Sequence, residues 1–489
     1  MAKDTAVKTS QKTSGKYYPT IGIEVHAELR TDSKMFCACQ NNPFEAQPNA
    51  HICPICMAHP GTLPVPNRAA IDHMVRIGLA VDGEIANFTE FDRKNYFYPD
   101  IPKGYQISQY QYPIVSGGSL GGVALERIHL EEDTGTSKHL GQKTLIDFNR
   151  AGVPLMELVT RPVMHTSQEA MQFGQTLQML LRYLGASHAH MERGEMRVEA
   201  NISISPDPDV MAENYVEIKN INSFSNMGKA VEYEIARMTA LWESGKQDEI
   251  IKETRGWDDT KQETYSQRKK ENAADYRYFP EPDIPKMYLH ELYDLDQMKK
   301  ELPELPWERH TRYRDVLGLR EEIIDVLIMD MDLATVFENT IIPYDEGDKD
   351  KIALSANYLT SDLVGLMKNE PEGREFLTAL DPDHMSRLIT MTYEGLLNSR
   401  GAKDVLLKML REGGGPDMIA QANGLLQQND DEALQIFAEE IIEKYPDEAQ
   451  SVRDGKVQLV KFLVGQAMKE SKGSANPQKM EEIFIKILQ

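Results

Sequence analysis

Apolar and polar residues alternate with a period of two in several stretches of the first part of the chain. Between residues 18 and 29, Ile21, Ile23, Val25 and Leu29 all stand at odd-numbered positions, whereas Glu24 and His26 stand at even-numbered ones. This alternation predicts a β-strand with one buried face and one polar face. Residues 197–205 repeat the pattern. The sequence therefore predicts a strand-rich region between residues 17 and 295.

One helix within this region carries recognisable signals at both ends. Thr166-Ser-Gln-Glu169 fits a capping box, in which the two terminal side chains accept hydrogen bonds from backbone N–H groups of the first turn. Apolar residues follow at helical spacing, and Gly185 stands where a C-terminal cap is expected. A helix among strands is typical of an α+β domain.

From residue 296 onward the apolar spacing is helical almost throughout. Long helical segments are predicted over residues 318–340 and 383–411. The run Gly-Gly-Gly-Pro that follows predicts a break. We therefore expect a strand-rich α+β domain, then an all-α domain over residues 296–411, then an all-α C-terminal domain over residues 412–489.

Composition and charge limit the classes of protein to be considered. Of the 489 residues, 41% are hydrophobic and 27% are charged, which is typical of a globular chain and argues against extensive disorder. The net charge of -23 disfavours a protein that coats nucleic acid or anionic membrane through its overall charge. A nucleic-acid partner would have to bind a local basic surface.

The sequence also suggests where the chain resides. Its mean hydropathy is -0.48, and no run of about 18 apolar residues occurs, so no membrane partner is expected. Residues 1–16 carry four lysines among polar residues and lack the apolar core of a secretory signal. We expect a flexible tail over these residues and a cytoplasmic location.

The four cysteines lie in one short segment, as Cys37-Ala-Cys39 and Cys53-Pro-Ile-Cys56. Two close pairs can bring four thiolates around one tetrahedral zinc ion, and such a closed set of ligands makes the ion structural. The alternatives are buried free thiols or a disulfide, and a nearby histidine such as His59 could replace one sulfur. The spacing nevertheless favours a structural zinc site.

A second candidate site is acidic. Glu24 and His26 share one face of a predicted strand, and Glu157 lies inside an apolar run. Glu132 belongs to the acidic triplet Glu131-Glu132-Asp133, which follows a short apolar run. Carboxylates with one imidazole are possible ligands for a hard divalent ion such as Mg²⁺. The alternative is that Glu24 and Glu132 are solvated and that Glu157 pairs with a nearby arginine such as Arg150 or Arg161. Spacing alone does not bring these residues together and favours the second interpretation.

Two segments mix cations with aromatic rings. Residues 91–99 contain Arg93, Lys94 and Tyr96, and residues 275–280 contain a similar mixture. Such segments can stack on bases and hold phosphates, but they can equally form the edge of a core. The P-loop motif is absent from the sequence, so a nucleotide site here would be of another kind.

The end of the chain is basic despite the acidic total. From residue 456 onward, six lysines stand against three glutamates. Lys469, Lys472 and Lys479 belong to this stretch, which contains small polar residues suited to phosphate contacts. A solvated helix end is the alternative.

Several motifs, taken together and in order, resemble those of a known family. They are Ile21–His26, Phe91–Pro99, Tyr105–Gln109, Leu130–Asp133, Asp147–Arg150, Lys219–Phe224 and Tyr276–Asp283. This set resembles the B subunits of glutamine-dependent aspartyl/glutamyl-tRNA amidotransferases over essentially the whole chain after the tail. Because the chain has no room for the large insertion of the archaeal type, the bacterial type is the closer match.

The resemblance implies a domain order and an activity. Residues 17–295 would form a cradle domain, followed by the helical domain and a tail domain that binds tRNA. Such a protein belongs to a carbon–nitrogen ligase with glutamine as amido donor. It uses ATP and Mg²⁺ to phosphorylate the side-chain carboxylate of Glu-tRNA(Gln) or Asp-tRNA(Asn), which ammonia then converts to the amide. A separate amidase chain, the A subunit of the complex, supplies the ammonia, and a small C subunit completes the heterotrimer.

The resemblance also assigns roles to particular residues. The implied catalytic and magnesium-binding residues are Glu24, His26, Glu132 and Glu157. The implied zinc ligands are Cys37, Cys39, Cys53 and Cys56. The implied residues of the substrate or ATP pocket are Arg93, Lys94, Tyr96 and Lys219. The implied tRNA contacts are Lys469, Lys472 and Lys479. The alternative hypothesis is a zinc-containing scaffold that binds tRNA and leaves all chemistry to its partners.

Overall fold

A computed structural model describes residues 17–269, 276–345, 347–427, 430–471 and 475–488. The predicted tail, residues 1–16, and the predicted tRNA contact Lys472 lie outside the described residues. The chain divides into two compact units between Leu305 and Pro306. We describe each unit separately.

The first unit is rich in strands. They are β1 (Tyr18–Glu28), β2 (Glu84–Ile85), β3 (Phe88–Thr89), β4 (Asp92–Asn95), β5 (Tyr105–Ser108), β6 (Val115–Ser116), β7 (Ser119–Leu120), β8 (Val123–Glu132), β9 (Thr136–Leu140), β10 (Lys143–Asp147), β11 (Pro154–Thr160), β12 (Met196–Ser205), β13 (Val216–Ile221), β14 (Glu253–Asp258), β15 (Glu263–Lys269), β16 (Phe279–Pro280) and β17 (Met287–Tyr288). Of these, β1 and β12 are the two that the alternating pattern predicts. Its α-helices are α1 (Arg68–Ala80), α2 (Ser167–Tyr183), α3 (Phe224–Glu243), α4 (Leu289–Leu292) and α5 (Leu295–Lys300). A 3₁₀ turn covers Gln247–Glu249. The predicted α+β class is confirmed.

A large twisted sheet organises this unit. Among the described residues it has ten strands in the order β15-β14-β13-β12-β1-β11-β8-β6-β2, with β7 beside β8. Neighbours run antiparallel except β13 and β14, which are parallel. Strand β1 is central, so side chains on its polar face have neighbours from β11 on one side and β12 on the other. That position makes β1 a suitable floor for a site.

The other face of the sheet is covered by helices. Ile23 and Val25 of β1 are fully buried there with apolar residues of α1, α2 and α3. Thr166 and Glu169 form the predicted capping box of α2, and Gly185 follows the helix with φ +64°. These local predictions are confirmed because the signals for them lie within a few residues in sequence.

The second unit is helical. Its helices are α6 (Pro306–Asp315), α7 (Glu321–Met329), α8 (Met331–Ile341), α9 (Lys349–Asn357), α10 (Val364–Asn369), α11 (Glu375–Ala379), α12 (Pro382–Tyr393), α13 (Ser399–Glu412), α14 (Pro416–Ala422), α15 (Asp431–Lys444), α16 (Pro446–Arg453), α17 (Val460–Glu470) and α18 (Pro477–Leu488). A π-helical stretch covers Tyr358–Leu363, and a 3₁₀ turn covers Val457–Leu459. Among the described residues, no helix has the length and apolar character that crossing a membrane requires.

The two long segments with predicted helical spacing each contain two helices. The segment 318–340 breaks at Asp330, whose side chain accepts a hydrogen bond from the Leu333 backbone and so caps α8. The segment 383–411 breaks before Asn398, which caps α13 in the same way. Asp and Asn favour such N-cap positions over helix interiors, which explains both breaks.

The observed division of the chain differs from the predicted one. The units part at 305/306, whereas 295/296 was expected, because Leu295 and Met298 of α5 pack against the core of the first unit. The further boundary at 411/412 does not separate compact units here and stays a prediction.

Candidate active site and cysteine cluster

The polar face of the central sheet gathers carboxylates and imidazoles from three strands. His26 on β1 lies opposite Glu157 on β11, and Glu157 lies opposite His129 on β8. Residues directly opposite each other in neighbouring strands project from the same face, and so do residues two apart in one strand. Glu24 and Glu131 therefore join the same group. We call these five residues the carboxylate–histidine cluster.

Distances show how closely the cluster is packed. His26 Nε2 lies 3.2 Å from Glu157 Oε2, 3.7 Å from Glu131 Oε1 and 3.9 Å from Glu24 Oε1. His129 Nε2 lies 3.5 Å from the same Glu157 oxygen and 3.9 Å from Glu131 Oε2. The ligand atoms of Glu24, His26 and Glu157 all lie within 4.8 Å of one another. Three of the four predicted ligands thus meet, and their donor atoms suit a divalent cation.

The prediction that Glu132 joins this group is wrong. In β8 the neighbouring residues Glu131 and Glu132 project from opposite faces of the sheet, and the site lies on the face of Glu131. Glu132 accepts a hydrogen bond from the Ile107 backbone N–H at 2.9 Å and forms a buried ion pair with Lys103. The sequence offered two adjacent carboxylates, and only the register of the sheet distinguishes them.

Replacing Glu132 tests this correction. We expect Glu132→Gln to lower the free energy of unfolding by about 3 kcal/mol, because it leaves the Lys103 ammonium without its buried counter-charge. The affinity of the carboxylate–histidine cluster for Mn²⁺, used as a probe in place of Mg²⁺, should stay within about twofold of the wild-type value. Titration of the folded variant with Mn²⁺ would measure it. The exposed Glu192→Gln variant serves as control and should change neither quantity. A marked loss of cation affinity in Glu132→Gln would restore the original assignment.

The structure also does not show the alternative pairing, in which Glu157 would form an ion pair with an arginine close to it in sequence. Arg150 contacts Asp133 at 3.6 Å, and the arginine that approaches Glu157 is Arg127, whose Nη2 lies 3.5 Å from Oε1. Glu157 itself is only 5% exposed. A carboxylate buried at this depth needs compensating charge, which His26 and Arg127 supply in part.

Electrostatics couple these groups. Burial disfavours the charged form of His26, but its hydrogen bond to Glu157 and the surrounding carboxylates outweigh burial and raise the pKa of His26 to about 9. Burial and the charge of Glu157 raise the pKa of Glu24 to about 7. Burial also opposes the charge of Glu157, but the two neighbouring histidines hold its pKa below the ordinary value. Burial lowers the pKa of His129, whereas the carboxylates around His26 raise its pKa.

The cluster forms the floor of a cleft of about 880 Å³. That volume is in the range of pockets that hold small ligands and cofactors. Lys94, Tyr96 and Lys219, all predicted pocket residues, line it. Tyr110 and Tyr278 also line the cleft and stack with ring centroids 4.3 Å apart. Rings and cations are therefore present around the acidic floor.

The lysines of the cleft differ in their partners. Lys219 Nζ lies 2.8 Å from Glu199 and 3.7 Å from Glu217. Lys94 Nζ lies 5.3 Å from the ring centre of Tyr276, and it forms no ion pair with any residue in the described part of the chain. Burial opposes its charge, but Glu131 and other anionic groups keep the pKa of Lys94 above its ordinary value. Lys94 is therefore a cation that remains available to a phosphate.

The structure does not place Arg93 with the other predicted pocket residues. Arg93 Nε donates to Glu281 Oε2 at 2.6 Å, its Nη2 donates to Glu281 Oε1 at 2.8 Å, and its guanidinium lies over the Tyr105 ring. Because side chains alternate along β4, Lys94 faces the cleft whereas Arg93 holds β4 to the segment around Glu281. The expectation of a pocket role for Arg93 is not supported by this placement.

The four cysteines meet as their spacing predicts. The Sγ atoms of Cys37, Cys39, Cys53 and Cys56 lie within 4.8 Å of one another. The cluster could hold a metal ion, and tetrahedral zinc is bound by such sets of four thiolates. The ligand set therefore needs no histidine.

Lys34 lies fully buried beside these sulfur atoms. Its Nζ donates to the carbonyl oxygens of His51 and Ala151, each at 2.8 Å, and lies 4.0 Å from Cys56 Sγ. A hydrogen bond with Cys37 is the main cause that lowers the pKa of Cys56 to about 5. Burial acts in the opposite direction, whereas a hydrogen bond from the Cys53 backbone and the charge of Lys34 also lower this pKa. A buried ammonium in this position complements the negative charge that metal-bound thiolates carry.

The predicted tRNA contacts lie on two helices of the second unit. Lys469 is exposed on the last turn of α17, and Lys479 on α18 forms an ion pair with Asp431 at 2.7 Å. Neither placement tests tRNA binding, which stays a prediction.

Two members of the carboxylate–histidine cluster, His129 and Glu131, were missed from the sequence. The signal for them was present. His129-Leu-Glu131 repeats the alternate spacing of Glu24-Val-His26, in which two potential ligands share one face of a strand. Recognising it required knowledge that β8 and β1 both flank β11.

Comparisons with known proteins agree with this architecture. The family model described as the GatB/GatE catalytic domain matches residues 19–293, and the one described as the GatB domain matches residues 336–488. The B subunit of the Thermus thermophilus aspartyl/glutamyl-tRNA(Asn/Gln) amidotransferase is 42% identical, over 96% of this chain and 99% of the relative. The Crocosphaera subtropica protein of the same name is 40% identical over 100% of both chains.

A plant relative extends the comparison. The chloroplastic/mitochondrial B subunit of the Oryza sativa glutamyl-tRNA(Gln) amidotransferase is 39% identical over 98% of this chain and 89% of the relative. The predicted resemblance is therefore confirmed. With a catalytic-domain match over more than half of its length and relatives aligned from end to end, the chain belongs to the family of aspartyl/glutamyl-tRNA amidotransferase B subunits.

Proposed function

We propose that this chain is the component of a tRNA-dependent amidotransferase that carries the phosphorylation and amidation centre. The reaction converts Glu-tRNA(Gln) to Gln-tRNA(Gln), Asp-tRNA(Asn) to Asn-tRNA(Asn), or both. The observation that carries this proposal is the carboxylate–histidine cluster on the floor of a cleft, within the segment that the catalytic-domain model matches. A scaffold that only binds tRNA has no use for so many ionisable groups at one buried point.

The chemistry requires an activated carboxylate. Oxide is a poor leaving group, so ammonia does not displace it from a free carboxylate. ATP supplies a better one: a side-chain carboxylate oxygen bonds to the γ-phosphorus, the bond from that phosphorus to the β-phosphate oxygen breaks, and ADP leaves. Ammonia nitrogen then bonds to the acyl carbon, inorganic phosphate leaves with the C–O bonding pair, and nitrogen loses a proton. Phosphoryl transfer of this kind depends mainly on positioning and charge neutralisation.

Particular residues fit these needs. Glu24, His26 and Glu157 would hold Mg²⁺, which supplies charge neutralisation at the phosphate oxygens when it is bound. Lys94 has no ion-pair partner in the described structure and faces the same cleft, where it can contact a phosphate. The stacked pair of Tyr110 and Tyr278 offers a surface for an adenine or a terminal base of tRNA.

The proposed assembly and metal content complete this function. A separate amidase chain, the A subunit of the complex, would release the ammonia from glutamine, because this chain lacks the Ser–Ser–Lys pattern of such amidases. A small C subunit would complete the heterotrimer. The ion in the cysteine cluster would be zinc with a structural role, since four thiolates leave no position open for substrate.

An assay of the reconstituted complex tests the proposed function directly. The complex is incubated with ³²P-labelled ATP, ammonium and either Glu-tRNA(Gln) or Asp-tRNA(Asn). We expect amide formation that depends on ATP, and a phosphorylated aminoacyl-tRNA when ammonium is omitted. Transfer of label by the partner proteins in the absence of this chain would instead support the scaffold hypothesis.

The basic end of the chain gives a separate prediction about tRNA. We expect Lys469→Ala to weaken tRNA binding several-fold at about 0.1 M salt and to reduce the slope of log affinity against log salt by about 1, as loss of one phosphate contact does. Filter binding over a range of salt concentrations measures both. Lys229→Ala, which removes an exposed lysine from α3 in the first unit, is the matched control. Identical salt slopes for the two variants would remove Lys469 from the tRNA contact.

A further inference from the structure

Arg277 has a backbone conformation that is unusual for a residue with a long side chain. Its φ is +44°, in the left-handed region that favours glycine. In an extended chain, three consecutive side chains do not all face the same side. The turn at Arg277 lets Tyr276, Arg277 and Tyr278 all line the cleft whose floor is the carboxylate–histidine cluster. Strained backbone of this kind occurs at functional sites, where the surrounding structure holds it in place.

Asn95, the residue after Lys94 in β4, holds this turn. Its backbone N–H donates to the Tyr276 carbonyl oxygen at 2.9 Å. Its Nδ2 donates to the carbonyl oxygens of Arg277 at 2.8 Å and of Tyr276 at 3.2 Å. The end of β4 therefore presents Lys94 to the cleft and also fixes the backbone that presents Arg277.

Carboxylates hold several other basic side chains that line the cleft. They are Arg127 with Glu157 at 3.5 Å, Arg197 with Asp133 at 2.9 Å, and Lys219 with Glu199 at 2.8 Å. A phosphate that enters the cleft would have to compete with these carboxylates for those cations. The ring centre of Tyr276 lies 5.3 Å from Lys94 Nζ, so Arg277 directly follows the ring that Lys94 approaches. Lys94 and Arg277 therefore lie on adjoining segments of the cleft wall.

We propose that Arg277 is a catalytic residue whose guanidinium contacts the γ-phosphate of ATP during its transfer, and that Asn95 is the residue that positions it. This inference rests on the proposed function and names a further residue for it. The carboxylate oxygen bonds to the γ-phosphorus while the bond to the β-phosphate oxygen breaks, and negative charge is spread over the other three γ-phosphate oxygens. A guanidinium offers two parallel N–H donors to such oxygens, which an ammonium does not.

Charge favours the terminal phosphate of ATP over a phosphodiester of tRNA as the group that Arg277 contacts. A phosphodiester carries one negative charge, whereas the triphosphate of ATP carries several and must approach a floor of carboxylates. Two cations on adjoining segments, Lys94 and Arg277, suit the more highly charged group.

Two replacements of Arg277 separate the side chain from the strained backbone. Glycine adopts a positive φ without strain and alanine does not, so the full-length Arg277→Gly chain should have a higher melting temperature than Arg277→Ala. Both variants lack the guanidinium, so in the reconstituted complex both should lower kcat for ³²P transfer from ATP to Glu-tRNA(Gln) by about 100-fold. Filter binding of the same tRNA should not change. Arg68→Ala, which changes an exposed arginine of α1, is the matched control and should transfer label at the wild-type rate.

A double variant tests the positioning role of Asn95. Asn95→Ala removes the side-chain hydrogen bonds that hold the turn, so it should lower kcat about tenfold while tRNA binding persists. Adding Asn95→Ala to Arg277→Gly should cause no further loss, because Asn95 acts through Arg277. Losses that simply multiply in the double variant would remove the positioning role.

The outcomes separate this inference from the proposed function. Equal transfer of label by the wild-type and Arg277→Gly complexes would overturn the inference and leave the proposed function intact. Loss of transfer in Arg277→Ala but not in Arg277→Gly would assign the effect to the backbone and also overturn it. Weaker tRNA binding in both variants with an unchanged kcat would place Arg277 on a tRNA phosphate instead. If the wild-type complex transfers no label, the proposed function itself fails, and this inference fails with it.

Discussion

Replacement of Glu157 by glutamine is expected to abolish the ATP-dependent step while tRNA binding persists. Glu157 is the carboxylate that both imidazoles of the cluster approach, with His26 at 3.2 Å and His129 at 3.5 Å. A neutral amide keeps the size of the side chain but removes the negative charge that a cation requires. Loss of about 4 kcal/mol of charge stabilisation corresponds to a rate reduction of roughly 10³-fold.

Transfer of ³²P from ATP to Glu-tRNA(Gln) in the reconstituted complex would measure this effect. Filter binding of the same tRNA would show that the variant is folded and still recognises its substrate. Glu126→Gln is a suitable control, since Glu126 lies on the same strand, β8, as His129 but is half exposed and pairs with Arg161 at 3.1 Å. Unchanged transfer of label by Glu157→Gln would rule out the cluster as the catalytic centre and favour the scaffold hypothesis.

Replacement of Cys56 by serine is expected to remove the metal from the cysteine cluster. Cys56 is 5% exposed, and its Sγ lies 4.0 Å from Lys34 Nζ. A serine hydroxyl is a poor zinc ligand, so we expect zinc content to fall from about one ion per chain to nearly none and zinc affinity to fall at least about 100-fold. Structural zinc contributes its binding energy to folding, and the loss should expose residues 37–56 to protease.

Metal analysis of the purified chain and limited proteolysis followed by peptide mapping would check these expectations. His59→Ala is the control that decides between ligand sets, because His59 lies near the cluster and was the alternative ligand considered from spacing. It should retain zinc. Removal of zinc from the wild-type chain by a chelator should reproduce the protease sensitivity of Cys56→Ser. A metal-free wild-type chain that resists protease would contradict a structural zinc site.

The two clusters differ in how far the sequence could predict them. The four cysteines are close in sequence, so spacing alone indicates that their sulfur atoms can meet. The carboxylate–histidine cluster draws on strands that are more than a hundred residues apart, from β1 at residue 18 to β11 at residue 154. Resemblance to a family supplied Glu24, His26 and Glu157, but it supplied Glu132 in place of Glu131 and did not supply His129.

The sequence by itself determined several elements of the fold and the cysteine cluster. Alternating apolar and polar residues predicted β1 and β12, and a capping box and a glycine predicted the two ends of α2. The spacing of the cysteines predicted that their sulfur atoms meet. Each of these signals acts within a few residues. Only the tertiary structure decided that Glu131, and not the adjacent Glu132, faces the cleft. Only the tertiary structure likewise decided that Lys94 faces the cleft, whereas Arg93 pairs with Glu281. Side chains in a strand point to alternate faces, so the choice depends on strand register and on what covers each face.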